Sequence, residues 1–141
     1  MNKVIFLDID GVLNNGIAQG VFHESSTKSE CIEVLNEITN KTKADLVIIS
    51  SWKDAHSFFS VKKILTERGV SGNIIGCTEK DVKKEQGILD FFKKNYIIDK
   101  FVIIDDDLNF VDEDLKYFHV KTETSFGLKK EQINIICEYL L

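Results

Sequence analysis

Short apolar runs recur along the chain at Val4–Leu7, Leu46–Ile49, Asn73–Ile75 and Phe101–Ile104, each closed off by polar residues or glycine. Brief, nearly continuous runs bounded in this way predict strands buried on both faces. A weaker run, Tyr117–Val120, predicts a fifth. Between the runs the apolar spacing changes to that of a helix. Ser29–Thr42 carries Ile32, Leu35 and Ile38; Asp54–Arg68 carries Phe58, Val61, Ile64 and Leu65; Val82–Lys94 carries Ile88, Leu89 and Phe92. Gly69 stands where the second of these helices wants a C-cap. A last helix is predicted over Lys129–Leu140, with Ile133, Ile136 and Leu140 in phase and Gly127 turning the chain before it.

Strands separated by helix-length crossovers predict an α/β fold: a single Rossmann-like, three-layer domain over 1–141 with a mainly parallel sheet of about five strands. Ligands of such sheets sit beyond the carboxyl ends of the strands. No linker, repeat or low-complexity stretch divides the chain, which has no proline. The one sizeable irregular stretch, Asn14–Thr27, is too short for a separate cap domain. It reads either as a flap over the site or as a plain surface loop.

Composition narrows the class. A chain of 141 residues, 43% hydrophobic, buries enough surface for one core. No run is long enough for a membrane helix, and the first residues pass straight into a strand without the pattern of an export leader. Cys31, Cys77 and Cys137 are odd in number and lack metal-site spacing, which predicts reduced thiols and a cytoplasmic protein. A net charge of −5 argues against coating duplex nucleic acid or an anionic membrane with the whole surface; a local basic groove stays open. Arg68 is the sole arginine, so phosphate contacts must come from lysine, hydroxyl, backbone or metal.

The candidate chemistry gathers at predicted strand ends. Asp8 and Asp10 lie two apart after the first strand, so one can attack phosphorus while the other donates a proton to the leaving oxygen and later activates water. Gly11 permits a tight turn there. Taken alone, this DxDG also fits a turn or a fragment of a calcium loop. The second strand ends in Ser50-Ser51-Trp52, where Ser50 has the better claim to a phosphoryl oxygen and Ser51 or Lys53 assists; a helix-capping serine is the alternative. The fourth ends in Asp105-Asp106-Asp107, an acidic cluster that a cation neutralises. Asp105 and Asp106 are assigned to the metal, with Asp107 as the alternative. Of Lys83 and Lys84, Lys84 is preferred for the phosphate because Ile88, four residues on, begins the buried face.

These four pieces in this order, Asp8-Ile-Asp10-Gly, Ser50, Lys84 and Asp105-Asp106, resemble the haloacid dehalogenase (HAD) superfamily of phosphotransferases over nearly the whole chain. The resemblance implies a HAD-like fold, an aspartyl-phosphate on Asp8, Asp10 as general acid and base, Ser50 and Lys84 on the phosphoryl group, and Mg2+ held by Asp8, the Asp10 carbonyl and Asp105 or Asp106. In detail, Ile49-Ser-Ser-Trp-Lys53, Ile74-Ile-Gly-Cys-Thr78, Ile103-Ile-Asp-Asp-Asp107 and Ser125-Phe-Gly-Leu128 resemble the small capless members grouped with RNA-repair phosphatase domains.

The expectation is a Mg2+-dependent phosphomonoester hydrolase acting on an exposed phosphate, such as a nucleic-acid end or a nucleotide. No membrane and no obligate protein partner are expected. A phosphoprotein or small-metabolite phosphatase is the nearer alternative, and a catalytically inactive binding module the farther one. Asn14, Trp52 and Lys53 are the expected substrate contacts, with specificity set by 14–27 and by rims around Trp52 and Phe110. A receiver-type signalling domain uses similar groups, but there the accepting aspartate follows a later strand. None of the three histidines is given a role.

Overall fold

The computed structural model describes residues 2–14, 27–94, 97–107 and 109–141. Its centre is a sheet of five parallel strands, β1 (Lys3–Leu7), β2 (Asp45–Ile48), β3 (Ile74–Cys77), β4 (Lys100–Asp105) and β5 (His119–Lys121), in the order β3-β2-β1-β4-β5. Helices α1 (Ser29–Thr42), α2 (Trp52–Ala55), α3 (Phe58–Glu67), α4 (Lys84–Lys93), α5 (Glu113–Tyr117) and α6 (Ile133–Leu140) connect and follow them, with a 3-10 turn over Lys130–Gln132 leading into α6. The expected single α/β domain with a parallel sheet is the one found.

Alternation along each strand builds two cores. Ile5 and Leu7, Leu46 and Ile48, and Val102 and Ile104 face one side, where Ile32, Leu35 and Ile38 of α1, Val61 and Leu65 of α3, and Ile136 and Leu140 of α6 cover them. Val4 and Phe6, Val47 and Ile49, and Ile103 face the other, under Ile88 and Phe91 of α4 and Leu115 of α5. Both faces are buried, which is why the strands read as continuous apolar runs.

The strand order fixes where a ligand belongs. From β1 the chain moves outward through α1 to β2 and through α3 to β3, then returns past β1 through α4 to β4. Right-handed crossovers running in opposite directions must lie on opposite faces, as these do. The reversal leaves a crevice beyond the carboxyl ends of β1 and β4.

Several boundaries differ from the expected ones. The helix predicted over Asp54–Arg68 is two helices, because the chain extends at His56 and Ser57, and the Ser57 hydroxyl accepts the Ser60 N–H at 3.1 Å to start α3 afresh. Tyr117 ends α5 rather than opening β5, and α5 itself has no counterpart in the sequence reading. Val82 and Lys83 precede α4. Of the predicted flap over 14–27, all but Asn14 and Thr27 lies outside the described residues, as does His23.

Candidate active site

Strand register brings the acids together. Leu7 pairs with Ile104 on one side and Ile48 on the other, and the Asp8 N–H donates to the Ile104 carbonyl at 3.0 Å. Asp8 and Asp105 therefore leave adjacent strands at one level, continuing the alternation of Phe6 and Ile103 toward the face that α4 covers. Lys84, the first residue of α4, reaches both: its Nζ lies 2.8 Å from Asp105 Oδ2 and 3.3 Å from Asp8 Oδ1. Asp106 completes the group, and one carboxylate oxygen each from Asp8, Asp105 and Asp106 lie within 4.8 Å of one another.

Asp8 and Asp105 are buried and Asp106 is half-buried. Burial and the charge of Asp105 push the Asp8 carboxyl up to about 7, against the pull of Lys84. Burial works against the Lys84 ammonium, yet Asp8 and Asp105 outweigh it and hold its pKa above the ordinary value. The two directions agree, since one ammonium cannot neutralise two carboxylates. Three carboxylates around a single lysine are short of positive charge, and their all-oxygen donor set suits a hard divalent cation.

Gly11 is needed where it stands. Its φ is 82°, and a Cβ there would lie 2.1 Å from Asp106 Oδ2, so any side chain would drive Asp106 from the cluster.

The remaining site residues fall in distinct places. The Asp10 carboxylate is outside the three-oxygen group; it accepts from the Trp52 indole N–H, at 3.2 Å to Oδ1 and 3.1 Å to Oδ2, and from Asn14 Nδ2 at 3.0 Å. Asn14 in turn accepts the Gly11 N–H at 2.9 Å. Ser50 is buried just beyond β2, where its hydroxyl accepts the Trp52 backbone N–H at 3.2 Å. Ser51 is exposed. Lys83 and Asp107 are exposed, and the Asp107 N–H donates to Asp105 Oδ1.

The expected rim of substrate contacts is corrected. Trp52 and Phe110 are 3% and 4% exposed, so neither forms an open rim. Lys53 is buried as well, with its Nζ 3.3 Å from Asp54. Asn14 is buried and bonds Gly11 and Asp10.

Three residues that bind the site together are absent from the sequence reading. The Thr122 hydroxyl donates to the Gly11 carbonyl at 2.7 Å, the Thr124 hydroxyl donates to Asp106 Oδ2 at 2.6 Å, and the Glu85 carboxylate accepts the N–H groups of Val111 and Asp112. Their place just beyond β5 and at the start of α4 is the only signal they carry, and it is visible once the sheet order is known.

A family model described as the HAD domain in Swiss Army Knife RNA repair proteins matches residues 4–133, which takes in every residue of this cluster. The chain belongs to this family. No curated protein and no solved structure gives a match. As a HAD domain the chain is of the hydrolase and phosphatase type in general, and HAD domains generally use a divalent metal, for which Asp8, Asp105 and Asp106 offer the donors. Among the described residues no helix is long and apolar enough to cross a membrane.

Proposed function

We propose that this HAD domain is a Mg2+-dependent phosphomonoester hydrolase that forms an aspartyl-phosphate on Asp8, and that its substrate phosphate stands out from a larger molecule, a nucleic-acid end or a nucleotide. The observation that carries the reading is the sharing of Lys84 between Asp8 and Asp105 beside Asp106 at the reversal point of the sheet. Asp8, Asp105 and Asp106, with the Asp10 carbonyl, would hold the Mg2+, which offsets the repulsion between nucleophile and phosphate.

In the first step an Asp8 oxygen forms a bond to phosphorus as the bond from phosphorus to the leaving oxygen breaks, and Asp10 gives that oxygen its proton. In the second, Asp10 takes a proton from water as the water oxygen attacks phosphorus, returning Asp8 and inorganic phosphate. Lys84 neutralises the attacked group. The Ser50 hydroxyl, which accepts from Trp52, keeps its own proton to donate to a phosphoryl oxygen.

Three features favour a nucleic-acid end. The family description names RNA repair proteins. The described residues form one small domain with no cap to enclose a metabolite. The crossover from β2 sets the first turn of α3 at the carboxyl edge of the sheet, and there Phe59 is 80% exposed beside Phe58, with Lys62 6.0 Å from the Phe58 ring, a combination suited to stacking and backbone attraction.

The test is Mg2+-dependent phosphate release from an aryl phosphate, mononucleotides, 3′- and 5′-phosphorylated oligonucleotides and phosphopeptides. Highest kcat/KM on an oligonucleotide end supports the full reading, and preference for phosphopeptides or small metabolites replaces its substrate half. Turnover that survives Asp8→Asn or chelation removes the mechanism.

A further inference from the structure

The two donors on Asp10 differ in what anchors them. Trp52 opens α2, is 3% exposed and packs in the core beneath β2, while its backbone N–H is tied to Ser50. Packing on all sides fixes the direction of its indole N–H. Asn14 is buried too, and its carbonyl oxygen is fixed by the Gly11 N–H. A carboxylate in a turn is thus held by two buried groups, the Trp52 indole and the Asn14 amide.

The bonds also distinguish the two Asp10 oxygens. The indole N–H lies between them, at 3.2 and 3.1 Å, but Asn14 Nδ2 adds a second donor at Oδ1 alone. Each carboxylate oxygen has two lone pairs. Among the described residues, Oδ1 has both engaged and Oδ2 keeps one. Oδ2 is therefore the oxygen with room for a transferable proton.

We infer that Trp52 is the positioning residue of the general acid: with Asn14 it orients the Asp10 carboxyl so that Oδ2 delivers the proton to the leaving oxygen. The inference rests on the phosphatase reading and deepens it. Trp52 does not touch substrate; it acts through Asp10. Because Ser50 caps Trp52 at one end and its indole meets Asp10 at the other, one residue sets the spacing between the phosphate-binding serine and the proton donor.

A residue that orients a proton donor matters in proportion to how badly the leaving group needs the proton. Trp52→Phe keeps most of the buried ring and removes the N–H. Its kcat on a 5′-phosphorylated oligonucleotide, whose leaving alkoxide is poor, should fall about 10- to 100-fold. On 4-nitrophenyl phosphate, whose phenolate leaves unaided, kcat should fall less than about 3-fold, with KM on both within about 2-fold. A merely structural role would lower both rates by the same factor. Equal losses, or none, with wild-type turnover that depends on Asp8, overturn the positioning role alone. Wild-type protein without Asp8-dependent turnover overturns the phosphatase reading and this inference with it.

A second measurement needs no turnover and stands even where Trp52→Phe does not fold. Trp52 is the only tryptophan, so the protein gives one indole N–H resonance. It should move upfield in Asp10→Ala and stay in place in Ser51→Ala; an indole resonance indifferent to Asp10→Ala overturns the contact on which the inference depends.

Discussion

Asp8, the proposed nucleophile, stands in a place that resists charge. Burial and the Asp105 carboxylate raise its pKa from the ordinary 3.8 to about 7, so the folded, metal-free protein holds a proton that the unfolded chain gives up. The unfolded state therefore binds fewer protons across that window, and stability falls as pH rises from about 4 to about 7. At ~1.4 kcal/mol per pH unit the ceiling of this loss is on the order of 4 kcal/mol, lowered by whatever ionised Lys84 returns. In chelator, Asp8→Asn should melt several degrees above wild type at pH 8 and level with it near pH 4. Added Mg2+ should narrow the gap at pH 8 by stabilising wild type. Equal melting temperatures at pH 8 would mean that Asp8 carries no such penalty. Gly11→Ala tests the neighbouring constraint: a Cβ at 2.1 Å from Asp106 Oδ2 and a φ of 82° should cost about 1–3 kcal/mol and weaken Mg2+ binding about tenfold or more by calorimetric titration, a loss of ~1.4 kcal/mol.

At the scale of elements, what the sequence exposes is what repeats. Buried strands announce themselves as apolar runs, and a polar residue ending such a run is conspicuous, so Asp8, Ser50 and Asp105 are legible before any fold is known. Trp52 is misplaced by that reading, which puts it on the substrate side, because nothing in the sequence shows that its ring packs in the core with its N–H on Asp10. Thr122 and Thr124 carry nothing legible: their roles exist only because β5 lies beside β4 and sends the chain back over Gly11 and Asp106. Apolar periodicity is equally blind to the break at His56 and Ser57, because its markers Phe58, Val61 and Leu65 all lie beyond the break, inside α3. Short α5 has too few residues for a period at all; its Asp112 cap, accepting the Leu115 N–H at 3.1 Å, is the only local sign of it. The cap that starts α3 is testable apart from the chemistry. Ser57→Ala should cost about 1 kcal/mol of stability, read by denaturant melts, while turnover per folded molecule changes less than about 2-fold; a larger loss of turnover would mean that α3 helps to place Trp52.

For the whole molecule the governing fact is that an acidic protein is proposed to work on an anionic polymer. Net charge is −5 with one arginine, so long-range attraction does not bring substrate in, and binding must rest on the phosphate pocket and a few lysines such as Lys62 on α3. Counterion release then sets a measurable bound. Each single-strand phosphate neutralised contributes about −0.7 to the slope of log affinity against log salt. Contact with about two phosphates beyond the reacting one predicts that KM for a phosphorylated oligonucleotide rises by roughly 7-fold between 50 and 200 mM salt, against 10³ or more for a protein making 6–10 such contacts. KM for 4-nitrophenyl phosphate, which has no further phosphates, should change less over the same range. The two curves separate the hypotheses cleanly: a steep oligonucleotide curve would mean an extended basic contact in place of the two-phosphate one, and coincident curves would mean that the polymer is held by nothing beyond its terminal phosphate, which would leave the exposed Phe59 and Lys62 without a part in binding.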